Sequence, residues 1–209
     1  MRTREQRIMD FEKFQESVVP IFKKLQTNNP DYLSLGDYYG FSVCPHGRNG
    51  GISSRLIEVF YENRPFDQEK EISANLELHT HLLSESGAEL SLFRDDFGYV
   101  SVQLFPAKSK YGRQREDSIL LHSHLDPNVL LKPSFQEKLF LRLNSYMAIT
   151  CLEGRPTVCD NVRVFLIRLN KHLVIKEELQ QIKVLKWLEE MLKFALTVGL
   201  SGFLLNIIL

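Results

Sequence analysis

The chain is expected to fold as an α+β protein: an N-terminal helix, a largely antiparallel sheet of about five strands, and a C-terminal helical region that ends in a hydrophobic, membrane-capable helix. Three observations carry this expectation. Apolar residues recur at helical spacing towards both ends, they alternate with a period of two through the middle, and residues 194–209 contain no charged group. The two periods differ because a helix turns every 3.6 residues, whereas a strand sends successive side chains to opposite faces.

Residues 5–26 place Ile8, Phe11, Phe14, Val18, Val19, Ile21 and Phe22 near helical spacing, with charged residues between them. This predicts a helix bent or interrupted at Pro20, which lacks an N–H donor and crowds the preceding turn. Asn28-Asn29-Pro30-Asp31 ends it, and the glycine- and aromatic-rich stretch 35–51 reads as loop with at most a short strand.

In the middle, Val100, Val102 and Leu104 share one face of a strand and Ser101 and Gln103 the other. The segment 89–94 alternates too, and Asp95-Asp96-Phe97-Gly98 supplies a turn whose glycine tolerates positive φ, which makes a hairpin. Further strands are expected at 55–61, 75–83 and 118–124, bounded by Asn63-Arg64-Pro65, Ser84-Glu85-Ser86-Gly87 and Asp126-Pro127.

After Pro133 the period returns to 3.6. Ser134 with Glu137 has the spacing of a capping box, and Phe135, Leu139, Leu143, Tyr146 and Met147 share a face. Thr157 with Asp160 repeats the signal ahead of a second helix over 158–170, with Val162, Phe165, Leu166 and Leu169 as its buried side. From Ile175 on, Leu179, Ile182, Leu185, Leu188, Leu192 and Ala195 trace an amphipathic helix. The expected organisation is an α+β cytosolic domain over 1–130, a helical extension over 131–174 packing on it, and an amphipathic helix over 175–209 that continues into the apolar tail.

The 26 Lys+Arg balance 26 Asp+Glu, so the chain as a whole lacks the basic surplus that electrostatic nucleic-acid binding needs. Cys44, Cys151 and Cys159 have no paired spacing and read as reduced thiols, and the charged N-terminus carries no secretory or transit signal.

At ~1.5 Å per residue, the 16 uncharged residues 194–209 reach about 24 Å as a helix, near the lower limit for crossing a ~30 Å bilayer core. Trp187 suits an interface, Lys186 and Lys193 suit snorkelling, and Gly199, Ser201 and Gly202 suit close helix contact. Trp187, Lys193, Phe194, Gly199, Gly202 and Phe203 are therefore the expected membrane or oligomer contacts. Burial of the same helix in the protein or between copies is the alternative.

Two His-x-His pairs, His79-Thr80-His81 and His122-Ser123-His124, would each present two imidazoles on one strand face. With Asp126, and with the two strands adjacent, they form a donor set for zinc or another divalent cation. The metallo-hydrolase pattern His-x-His-x-Asp-His is only partly echoed, since Pro127 stands where its last histidine would be. The plainer reading puts these histidines on the polar face of a half-exposed sheet. Glycine-rich backbone beside His46 and Arg48 could nest an anion, and the basic loop with Lys108, Lys110, Arg113 and Arg115 could meet a nucleotide or lipid headgroup. A surface turn and a solvated loop are the alternatives.

Two functions follow as expectations. In the first, a membrane-associated, non-enzymatic sensor or interaction module sits on the cytoplasmic face of a membrane, binds a small molecule or protein through its α+β domain, self-associates through its C-terminal helix, and needs no cofactor. In the second, a cytoplasmic metal-dependent hydrolase uses His79, His81, His122, His124 and Asp126 to hold a cation that activates water. Nucleic acid is not an expected partner of either.

Overall fold

The computed structural model describes residues 2–48, 51, 53–72, 78–112, 114–180, 189 and 193. Helix α1 (Arg4–Asn28) starts at a capping box in which Thr3 and Gln6 exchange side-chain and backbone bonds. It buries Phe11, Phe14, Val18 and Phe22 and runs on through Pro20. Pro20 and Glu16, four residues earlier, both face solvent, so the carbonyl that proline leaves unpaired is not sealed in the core. A 3-10 turn (Pro30–Tyr32) leads into α2 (Leu33–Tyr39), in the stretch read from sequence as loop.

Nine strands follow before the second helical pair and after it, with a tenth at the end: β1 (Phe41–Cys44), β2 (Leu56–Tyr61), β3 (Asn63–Ile72), β4 (Leu78–Ser86), β5 (Glu89–Arg94), β6 (Val100–Phe105), β7 (Lys108–Ser109), β8 (Ser118–Leu125), β9 (His172–Ile175) and β10 (Glu178–Leu179). Helices α3 (Pro133–Thr150) and α4 (Val158–Asn170) lie between β8 and β9. Seven strands form one antiparallel sheet in the order β1-β2-β5-β6-β8-β9-β10, and β3-β4-β7 form a second. The expected α+β class and antiparallel sheet are thus present, with ten strands among the described residues where about five are expected.

The β5–β6 hairpin closes as the sequence predicts, with Gly98 at φ 82° in its turn. Three departures have local causes. Asn63-Arg64-Pro65 lies within β3 and is not a turn, because the register slips between Pro65 and Asp67 and proline is tolerated at such a bulge. The helix expected from Ile175 is, up to Leu179, the β9–β10 hairpin, turned by Lys176 and Glu177 at φ 52° and 65°. Side chains rarely adopt that left-handed backbone, so the sequence carries no turn signature there. In α3, Pro133 starts the helix and Ser134 with Glu137 forms no capping box.

Helices α1 and α3 supply the helical side of one core with β2, β5, β6, β8 and β9. Phe140 is its aromatic centre: Phe22, Tyr32 and Phe41 meet its ring edge-on at 6.4, 6.5 and 6.1 Å. Helix α4 caps α3 from outside. Its capping box, Thr157 with Asp160, forms as expected, but its buried stripe is Asp160, Val164 and Ile167. Val162, Phe165 and Leu166, expected to be buried, are 52%, 63% and 48% exposed. Asp160 decides the rotation, since its carboxylate accepts bonds from Ser145 of α3 (2.6 Å) and Tyr32 (2.7 Å), and Val164 and Ile167 follow on the same face.

Among the described residues no helix is long and apolar enough to cross a membrane. The expected tail contacts Trp187, Phe194, Gly199, Gly202 and Phe203 lie outside the described residues; Lys193 is described as helical and pairs with Glu189 at 2.6 Å.

Phe140→Ala is expected to lower stability by about 3–5 kcal/mol in urea unfolding. Phe165→Ala, on the outer side of α4, is expected to stay within about 0.5 kcal/mol.

Candidate functional site

The expected metal set is not brought together. His79 and His81 sit on β4 in the smaller sheet, exposed, with ring centroids 6.4 Å apart, whereas His122 and His124 sit on β8 in the larger sheet. The latter two line one hollow and meet different rings. The β6–β8 register slips twice, on either side of Val102, so strict alternation is lost along β8. His122 meets Phe135 of α3 at 5.5 Å, while His124 stacks on Tyr99 at 3.5 Å. Asp126 accepts from the Asn128 backbone N–H and caps the 3-10 turn after β8. Among the described residues no group of three or more His, Cys, Asp or Glu could hold a metal ion.

The expected anion nest is already filled by the protein's own carboxylates. Glu58 accepts from the Arg48 backbone N–H at 2.6 Å, and the Arg48 guanidinium bonds Glu89 while lying over the Phe60 ring. His46 reaches only the Ser53 carbonyl. In the basic loop, Lys110 pairs with Glu69, which also accepts from Tyr111. Lys108 is in β7, Arg115 is exposed and Arg113 lies outside the described residues.

A different group of cations has no ion pair among the described residues. Along α3, Ser134, Lys138 and Arg142 recur every fourth residue beside the core stripe of Leu139 and Leu143, so they fall on one flank of the helix. Facing them across a cleft of about 380 Å³ are Leu166, Ile167 and Asn170 of α4, and Lys171, which caps it. Lys171 and Asn170 also border a second hollow lined by His122 and His124.

Arg142 is only 9% exposed, and its Nη1 is buried without a hydrogen-bond partner. His122 Nε2, on the adjoining strand, is buried and unpartnered as well. Glu137 lines the cleft, but no ion pair joins it to Lys138, Arg142 or Lys171 among the described residues.

The electrostatics of these groups run in one direction. Burial lowers the pKa of Arg142. Burial also lowers that of Lys171, and the charges of Arg142 and Lys138 add to the effect. His122 is pushed down to about 4 by burial first and then by Lys171, Arg142 and Lys138. Each group loses affinity for its proton first because burial disfavours its charged form, and for Lys171 and His122 the neighbouring cations add to it. A carboxylate or phosphate in the cleft would reverse that field and satisfy the open guanidinium position, which suits planar oxyanions.

A larger cavity of about 510 Å³ opens on the other side of α4, around Tyr32, Tyr38, Arg155, Asp160 and Arg163. Its central charges answer one another. Burial raises the Asp160 pKa, but hydrogen bonds from Ser145, Tyr32 and Thr157 outweigh that and hold it below the usual carboxylate range, and Arg163 lies 3.4 Å away. That arrangement fixes α4 in place, and Asp160 and Arg163 answer each other there.

Sequence reasoning missed the Arg142 cleft. The spacing of Ser134, Lys138 and Arg142 was the available signal, and burial without a counterion is visible only in the fold.

Because the folded His122 titrates near 4, below the ordinary value of ~6.5, the unfolded chain takes up a proton that the native chain refuses. Stability is therefore expected to fall as pH drops from ~6.5 towards ~4, and His122→Gln is expected to flatten part of that slope. Urea midpoints of both proteins at ~pH 7 and ~pH 5 check this. Compared with protein-family models, with curated proteins and with solved structures, the chain matches none.

Proposed function

We propose that the chain is a non-enzymatic ligand-binding module whose α+β body takes up an anion in the cleft between α3, α4 and β8. The observation that carries the reading is Arg142: a guanidinium nine-tenths buried, with an unpartnered Nη1, beside Lys138 and Lys171. An isolated buried cation costs folding free energy, and a ligand that supplies the missing charge would recover it. Leu141, Leu166 and Ile167 supply apolar wall beside the cations, as small-molecule sites do. Attachment to a membrane through residues 194–209 belongs to the same proposal and rests on their uncharged sequence.

Inorganic pyrophosphate is the probe. At ten times its dissociation constant it is expected to stabilise the wild type by about 1.4 kcal/mol, a rise of roughly 3 °C in melting temperature. Arg142→Met is expected to remove that response and to raise ligand-free stability by roughly 0.5–2 kcal/mol, since it deletes an unpaired buried charge. A variant that loses stability and keeps the pyrophosphate response would sink the proposal. For the tail, a chain ending at Lys193 is expected to leave the detergent phase into which the full chain partitions, with its thermal unfolding unchanged.

A further inference from the structure

Helix α4 has a second apolar stripe that the fold leaves open. Val158, Val162, Phe165 and Leu166 are 79%, 52%, 63% and 48% exposed, and they recur at the spacing of one helix face. Scattered apolar residues on a surface need no explanation, but four on one face of a 13-residue helix form a contiguous patch.

Where the stripe meets the cleft, the cations Lys138, Arg142 and Lys171 outnumber the one acid of its lining, Glu137. The helix contains a single carboxylate, Asp160, which is 1% exposed and occupied by Ser145, Tyr32 and Thr157. Its other charged side chains, Arg163 and Arg168, are paired with Asp160 and Glu116, and Lys171 follows at its end. Leu166 belongs both to the stripe and to the wall of the Arg142 cleft, so apolar surface runs without a break into the group of unpaired cations.

We propose that the outer face of α4 seats in the surface of an anionic bilayer, with the Arg142 cleft receiving the phosphate of a lipid headgroup. This rests on the reading of the cleft as an anion site and names the source of the anion. Interfacial helices combine these elements: an apolar face that enters the headgroup region and basic residues that meet anionic lipid. Charge complementarity selects this occupant over a second copy of the chain. Two α4 faces brought together would oppose Lys171 and the cleft cations Lys138 and Arg142 to their own counterparts. The contact is independent of residues 194–209, which supply no lipid-charge preference because they carry no charge.

The test uses the full chain and sedimentation with vesicles of phosphatidylcholine alone or with about one third phosphatidylglycerol. Wild type is expected to bind the anionic vesicles roughly tenfold more tightly than the neutral ones, less so at high salt. Val162→Asp with Phe165→Asp is expected to abolish that margin while keeping pyrophosphate binding, and Val162→Ser with Phe165→Ser, a milder pair, to reduce it. Arg142→Gln is expected to lower the preference for anionic lipid. Equal binding to both vesicles, or an anionic preference unchanged in both α4 variants, overturns the proposal. If pyrophosphate binds and anionic vesicles show no preference, the lipid assignment fails and the anion cleft stands; if pyrophosphate does not bind either, both fail.

Discussion

Two buried carboxylates decide where α4 lies, and the cleft exists only because it lies there. At its start, Asp160 accepts from Thr157, from Ser145 of α3 and from Tyr32 after α1. Towards its end, Arg168 donates to Glu116 (2.6 Å), a 4%-exposed side chain that also accepts from Tyr146 of α3. Hydrogen bonds to charged groups are worth about 1.5–3 kcal/mol each, and leaving such a buried group unpaired costs more. Between these two anchors the rotation of the helix is set, Val164 and Ile167 are pressed on α3, and the opposite stripe is turned to solvent. Hydrophobicity alone would have favoured the other choice, since Phe165 and Leu166 bury more area than Val164.

The contrast between satisfied and unsatisfied cations follows from the same geometry. Arg48 is answered by Glu58 and Glu89, Lys110 by Glu69, Arg163 by Asp160 and Arg168 by Glu116. The chain carries equal numbers of acids and bases, so a shortage of carboxylates does not explain Arg142. It is pressed between the core stripe of α3 and the inner side of α4, where Glu137 is the one neighbouring acid and is not paired with it. Most of the charges that serve packing are neutralised; among the described residues Arg94 and Arg142 each keep a buried guanidinium nitrogen without a partner, and Arg142 is the one of the two that lines the cleft.

What the sequence revealed was whatever is decided within a few residues. The helix α1, the β5–β6 hairpin and the capping box of α4 follow from spacing, one glycine and one Thr-x-x-Asp pattern. Other features depend on partners far along the chain. The bulge at Pro65 is tolerated because β4 accommodates it, and the β9–β10 turn holds two non-glycine residues in left-handed backbone with Asp117 accepting from the Glu177 N–H. The double slip in β8 defeats the rule that i and i+2 share a face, so the His-x-His spacing alone does not place His122 and His124 together. Arg142 was hidden for a related reason: a sequence shows a cation, and only the fold shows that no anion answers it.

Helix α4 is thereby a wall with two uses. Its inner stripe closes the core of α3 and bounds the cleft; its outer stripe is apolar, flanked by basic groups, and reaches the same cleft through Leu166. A ligand with a phosphate and an apolar body would meet both without any change in the position of the helix. The anchors at Asp160 and Glu116 make the site preorganised, so binding energy need not be spent on ordering the helix that contacts the ligand. On the proposed reading, Arg142, costly to the free protein, is the feature that makes occupation of the cleft favourable.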